Sequence, residues 1–150
     1  MLPPVPTPAA LARLHALCFG TPRPWSEVEF SSLLRDGSVF LTGGGRDAGG
    51  ADNSGFALGR VIADEAELLT LAVHPDHRRK GRGRALLSTY ENEAVRRGAT
   101  RSFLEVSSAN HAAITLYAQA GYRQTGQRPG YYRTPDGGRI AALTFSRHLV

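Results

Sequence analysis

Apolar residues early in the chain fall at helical spacing. Leu11, Leu14 and Leu17 follow Thr7-Pro8, a side-chain cap with proline at the first helical position, and predict a first helix. The stretch TPRP (21 to 24) breaks it. Ser26-x-x-Glu29 has the form of a capping box and opens a second helix, whose apolar face continues through Leu33 and Leu34 until Asp36-Gly37. The period then changes: SVFLT (38 to 42), FALGRVI (56 to 62) and ELLTLAV (67 to 73) predict three strands, the last stopped by His74-Pro75. A third helix is expected over about 83 to 97, with Leu87, Tyr90 and Ala94 facing inward and Gly98 just past its end. SFLEV (102 to 106) reads as a strand. Asn110 reads as the cap of a short helix that carries Ile114, Leu116 and Tyr117 and closes at Gly121. Two or three further strands fit in the remainder.

Two helices, several strands and then alternating β and α predict a three-layer α/β (α+β) domain. The whole of 1 to 150 reads as one domain, with 1 to 6 as a loose lead-in because three of those six residues are proline. Between the first two strands lies GGGRDAGGADNSG (43 to 55), which holds six of the seventeen glycines. No helix follows it and no Gly-Lys-Ser/Thr closes it, so it reads as a hairpin loop and not as a phosphate loop.

Composition adds one fact that matters for function. A net charge of +5 and a pI near 10 imply an anionic partner: phosphate, nucleic acid or an acidic surface. Cys18 is the only cysteine, which excludes an intramolecular disulfide. No membrane-length apolar run and no signal-like start are present, so a soluble, cytoplasmic protein is expected.

The charge concentrates in HRRKGRGRALL (77 to 87), where Arg78, Arg79, Lys80, Arg82 and Arg84 surround Gly81 and Gly83. A solvated basic turn is one explanation. The other uses the order strand, loop, helix, which turns the first N–H groups of the helix and its positive dipole end toward the strand's end. Gly81 and Gly83 would then leave room for a pyrophosphate to reach those N–H groups. The dinucleotide fingerprint is excluded, because its third glycine is missing.

Arg78-x-x-Gly81-x-Gly83 after Leu71-Ala72-Val73-His74-Pro75 resembles the coenzyme A-binding motif of the GNAT superfamily of acetyl-CoA-dependent N-acetyltransferases. Within it the chain is most similar to the RimI type, which acetylates the N-terminal alanine of a small-subunit ribosomal protein. That likeness rests on Pro24-Trp25-Ser26-Glu27, Leu104-Glu105-Val106 with Ala109-Asn110, Leu116-Tyr117, Gly121-Tyr122, and Tyr131-Tyr132 with Asp136-Gly137, and it runs from about residue 9 to the end. The resemblance implies a mixed central sheet of about 6–7 strands flanked by about four helices, typical of layered α/β domains. It implies acetyl-CoA as cosubstrate, bound by Leu71, Ala72, Val73, Arg78 to Arg84, Asn110 and Tyr117, with no metal. It implies a protein N-terminus, such as that of a ribosomal protein, as acceptor, bordered by Trp25, Tyr131 and Tyr132. Two departures fall where the family shapes its acceptor groove: Gly138-Arg139-Ile140 replaces the usual acidic tail, and the loop at 43 to 55 is long.

The residues themselves leave choices open. Glu105 interrupts an apolar run, so it either faces water or lines a cleft as a base; by resemblance it is the general base. Tyr117 is a core tyrosine or, by resemblance, the acid that protonates the leaving thiolate. Asn110 caps a helix, a role compatible with holding coenzyme A. Leu71 to Val73 alone say only "buried strand"; the resemblance makes their backbone N–H groups donors to the thioester carbonyl, through a bulge that frees one of them. Trp25 fits a hydrophobic staple. His74-x-x-His77 crosses Pro75 without a third ligand, which argues against a metal site. Cys18, on an apolar helical face, reads as core. A lysine or small amine remains an alternative acceptor, and a basic nucleic-acid- or ribosome-binding module remains an alternative of another class. No membrane or direct nucleic-acid partner is expected, and the protein reads as a monomer.

Overall fold

The computed structural model describes residues 6–20, 23–43, 55–78 and 81–150. The glycine-rich stretch at 44–54, most of the lead-in, and Arg79 and Lys80 lie outside the described residues. Helix α1 (Pro8–Cys18) starts as expected, with the Thr7 hydroxyl accepting from the Ala10 N–H. Helix α2 (Glu27–Leu34) has both halves of the capping box, and the Trp25 and Phe30 rings, 5.5 Å apart, form the hydrophobic staple across it. One expectation fails in α1. Leu17 is 59% exposed, and the inward position beside Leu11 and Leu14 belongs to His15.

Six strands form one mixed sheet: β1 (Val39–Gly43), β2 (Gly55–Ile62), β3 (Glu65–Val73), β4 (Arg101–Ser107), β5 (Arg123–Arg133) and β6 (Arg139–His148). Their order is β1-β2-β3-β4-β6-β5, with β3 and β4 the parallel pair and the others antiparallel. A 3-10 turn (Pro75–His77) leads from β3 toward helix α3 (Arg82–Arg96), and α4 (His111–Gln119) follows β4.

The layers are those expected from the sequence. On one face Leu87, Tyr90 and Ala94 of α3 join Leu68, Leu104 and Tyr117 in one core, while on the other Leu11, Leu14 and Phe30 pack against Phe56, Leu58 and Ala72. At Gly59 a Cβ would stand 2.6 Å from the rings of Phe40 and Tyr90, so the missing side chain is what lets α3 settle on the sheet. Ser102, fully buried, shares hydrogen bonds with the hydroxyls of Tyr90 and Tyr122, which satisfies three polar groups inside that core.

Two irregularities in β3 shape everything downstream. Opposite β2 the register steps from Leu58↔Thr70 to Gly59↔Leu68, leaving Leu69 as the extra residue of a bulge. The bulge reverses side-chain parity: Ala66 and Leu68 face α3 before it, and Leu71 does so after it, while Ala72 turns to α1 and α2. Toward β4 the parallel ladder covers only Glu65 to Leu68 against Arg101 to Leu104. Beyond that point β4 continues with β6 alone, so 69–73 of β3 and 105–107 of β4 have no strand between them.

Candidate active site

The opening between β3 and β4 is bordered by Leu71, Ala72 and Val73 on β3 and by Glu105 on β4. Glu105 is the first residue of β4 past the last parallel pair, and it shares its face with Phe103 and the α1/α2 side. Its carboxylate accepts the Tyr132 hydroxyl on Oε1 at 3.2 Å and stands 3.4 Å from Arg128 Nε at Oε2, with the side chain 26% exposed. Glu105 is thus a partly buried, doubly engaged carboxylate at the head of the opening. Burial, and then the neighbouring Glu105 charge, push the Tyr132 phenol above its ordinary range.

Tyr117 lies on the opposite face. The ring is 6% exposed, 5.9 Å from that of Tyr122, and its hydroxyl forms no hydrogen bond among the described residues. Burial pushes the phenol above its usual value, so it holds its proton at any physiological pH. Glu105 thus stands on the α1/α2 face of the sheet and the protonated Tyr117 phenol on the α3 face.

At the C-terminal end of the opening, Cys18 Sγ and Arg78 Nε both donate to the Val73 carbonyl, at 3.2 and 3.1 Å. Arg78, expected to face a phosphate, therefore also closes the end of β3. Burial raises the Cys18 thiol pKa, with the Arg78 guanidinium opposing it. Cys18 is half-buried and tied to backbone, where the sequence suggested plain core.

Gly81 caps α3 in the left-handed region, φ +74°, with no side-chain hydrogen bond. That φ is natural only for glycine. Gly83 is the second residue of the helix, where a Cβ would meet Leu116 Cδ2 at 3.3 Å and Val73 Cγ2 at 3.8 Å. Its absent side chain thus serves the close approach of α3, α4 and β3 as well as access to the helix terminus. Arg82 opens the helix and Arg84 is exposed in its first turn. Asn110 caps α4, its Oδ1 accepting from the Ala113 N–H at 3.2 Å, which leaves its amide N–H groups for another partner. His74 Nδ1 accepts the Asp76 N–H, and no cluster of metal-ligating side chains occurs among the described residues. Tyr131 is 52% exposed, with the Arg128 guanidinium 5.1 Å over its ring.

Three neighbours of this site escaped the sequence reading. Arg128 and the hydrogen-bonding role of Tyr132 depend on β6 lying between β4 and β5, which no local pattern encodes. Glu67 pairs with Phe103 across the parallel ladder and so shares the face of Glu105. Burial raises its pKa, Arg60 at 3.8 Å opposes this, and the Glu105 charge adds to it. The third is His15, taken up below.

The mixed sheet splits after four parallel pairs, and a glycine-capped helix stands beyond the split. The chain belongs to the acetyltransferase (GNAT) family, whose model matches residues 10–122. Among individual proteins, it is 41% identical over 122 residues to the ribosomal protein bS18-alanine N-acetyltransferase of Escherichia coli strain K12, covering 80% of this chain and 78% of that protein. The crystal structure of the Escherichia coli ribosomal-protein-S18-alanine N-acetyltransferase superposes with a TM-score of 0.82 at 33% identity, over 95% of this chain and 87% of that one. Arabidopsis thaliana NAA60 in complex with a bisubstrate analogue shares the fold, with a TM-score of 0.76 at 20% identity over 97% and 95% of the two chains. No helix among the described residues is long and apolar enough to cross a membrane.

Proposed function

We propose that this acetyltransferase moves the acetyl group of acetyl-CoA onto the N-terminal α-amine of a protein, an alanine such as that of ribosomal protein bS18, by direct attack across the opening between β3 and β4. The observation that supports the reading is the placement of Glu105 and Tyr117 on opposite faces of the sheet, with Glu105 just past the last parallel pair of β3 and β4. Acetyl-CoA fits the α3 side. The left-handed Gly81 and the bare Gly83 leave room for a pyrophosphate at the N-terminus of α3, Arg82 and Arg84 add positive charge, and Asn110 offers its amide. Arg79 and Lys80, which precede Gly81 in the sequence, add two further cations to the proposed phosphate site. The acceptor then enters from the α1/α2 side, between Trp25 and the Tyr131-Tyr132 pair.

Glu105 takes a proton from the incoming ammonium, directly or through one water. The freed nitrogen attacks the thioester carbonyl carbon, whose oxygen is polarised by backbone N–H groups of Leu71 to Val73. As the C–S bond breaks, the Tyr117 phenol gives its proton to the departing thiolate. The second proton of the acylated nitrogen passes through solvent to restore the phenol, and N-acetylated product and coenzyme A leave, Glu105 releasing its proton to solvent. An α-amine, with a pKa of about 7.7–8.0, is partly neutral at pH 7. A lysine, at about 10.4, costs about 3.5 kcal/mol more to deprotonate. One carboxylate already shared with Arg128 and Tyr132 suits the easier task.

The test is acetyl-CoA turnover across three acceptors: an Ala-starting peptide, the same peptide with its N-terminus blocked and an internal lysine, and a polyamine. Turnover on the free N-terminus, exceeding both others by tenfold or more, supports the reading. Preference for lysine or polyamine overturns it.

A further inference from the structure

His15 is the one histidine with both ring nitrogens committed inside the fold. It is 2% exposed and lies between three segments distant in sequence. Its Nδ1 accepts the Trp25 backbone N–H at 3.0 Å, and its Nε2 stands 2.9 Å from Thr70 Oγ1. A backbone N–H can only donate, so Nδ1 carries the lone pair and the ring proton sits on Nε2, directed at Thr70. The ring stacks on Phe19 at 4.4 Å and on Trp25 at 5.0 Å, and meets Phe30 edge-on at 5.4 Å.

Both ends of this bridge matter. Thr70 follows the bulge residue Leu69 and precedes Leu71, so it sits where β3 leaves β4. Trp25 lies in the segment between α1 and α2, one residue before the α2 cap. The Trp25 backbone N–H is tied to α1 through His15. A phenylalanine would fill the same aromatic cluster, so packing alone does not require an imidazole here.

We propose that His15 is a positioning residue for the acceptor side of the site, tying the Trp25 backbone to Thr70 and so holding the acceptor wall at a set distance from the strand that presents the thioester. This rests on the reading above in one respect, that Trp25 borders the acceptor. The ring is neutral in the working range, because burial lowers its pKa to about 4. A charged ring would carry a proton on Nδ1 and lose the Trp25 contact.

Three variants separate this role from simple packing: H15F keeps the ring and loses both hydrogen bonds, T70V keeps the shape and loses the hydroxyl, and T70S keeps the hydroxyl. Trp25 is the only tryptophan, so its emission reports this segment without any assay of activity. Thr70 connects to it through the His15 ring. Expected are a tenfold or greater rise in KM for the Ala-starting peptide in H15F and T70V, KM for acetyl-CoA within twofold of wild type, a shifted Trp25 emission in both, and recovery in T70S. Unchanged peptide KM and unchanged emission in a folded T70V would overturn the proposal. So would equal losses for both substrates that simply track a lowered Tm. If the wild-type enzyme ignores the peptide altogether, the acceptor reading fails, while the emission of T70V still decides whether the tie exists.

Discussion

The Tyr132 hydroxyl reaches Glu105 Oε1 at 3.2 Å from β5 to β4, passing over the intervening strand β6. A residue expected to line the acceptor wall therefore also holds the Glu105 carboxylate, the base of the proposed mechanism. Removing that donor in Tyr132→Phe deletes a hydrogen bond to a charged group, a change worth about 1.5–3 kcal/mol. A fall of about tenfold or more in kcat/KM for the Ala-starting peptide is expected, at 1.36 kcal/mol per decade. KM for acetyl-CoA should stay unchanged, because Tyr132 is on the acceptor face. Steady-state kinetics with each substrate varied in turn checks both statements.

Tyr117 makes the cleaner test of acid catalysis. Its hydroxyl forms no hydrogen bond among the described residues, so Tyr117→Phe removes no recorded polar contact and Tm should barely move. If the phenol protonates the thiolate, kcat should fall by about 10²-fold or more where chemistry limits turnover. A normal kcat would return Tyr117 to the core, and a large drop in Tm would point to packing instead.

Gly83 tests the coenzyme side. A Cβ there is crowded by the tip of Leu116 at 3.3 Å, which can move, and touches Val73 at an ordinary 3.8 Å, so Gly83→Ala should fold. Gly83→Val adds branches where α3, α4 and β3 converge and a pyrophosphate would approach the helix terminus. Calorimetric affinity for acetyl-CoA should weaken in Ala and vanish in Val, with the circular dichroism of both retained. Raising salt should weaken wild-type binding as well, since exposed charges are being matched. Affinity unchanged in Gly83→Val would place coenzyme A elsewhere.

Much of this arrangement was legible in the sequence because it is local. Thr7-Pro8, Ser26-x-x-Glu29 and Asn110 cap the helices they were expected to cap, and Gly98 and Gly121 adopt the positive φ that ends a helix. β5 was harder, since RQTGQRPGYYR is an exposed edge strand with two register breaks, no alternation and a proline that an edge tolerates. The inversion of Leu17 and His15 was illegible for another reason. Hydrophobicity ranks leucine as the inward residue, yet a neutral imidazole with both nitrogens bonded has no unmet polar cost and brings an aromatic face. The opening in the sheet is non-local too. LLTLAV predicts a strand and gives no sign of where its parallel partner stops.

His15 also sets a pH dependence of stability. Its pKa falls from 6.5 in the unfolded chain to about 4 in the folded one, chiefly by burial, with Glu29 pulling weakly upward. Between those values the unfolded chain binds a proton that the folded ring refuses, so stability declines as pH drops from 6.5 toward 4 and this contribution levels off below. The loss attributable to His15 is about 3 kcal/mol at most, at 1.36 per unit. Urea unfolding at pH 7 and pH 4.5 should show a steeper decline for wild type than for H15F. Parallel declines would mean another group titrates.

The most direct test of the whole account is the pH series of Glu105→Gln. If Glu105 is the base, kcat/KM of this variant for an Ala-starting peptide should be most depressed at pH 7 and recover in part toward pH 9, where an α-amine of pKa about 8 deprotonates unaided. A peptide offering only lysine should show little recovery, its amine being still mostly charged. Acetyl-CoA affinity should be unaffected, because the carboxylate faces the α1/α2 side. A uniform loss at every pH with both peptides would contradict the account, leaving Glu105 to shape the strand while another group removes the proton.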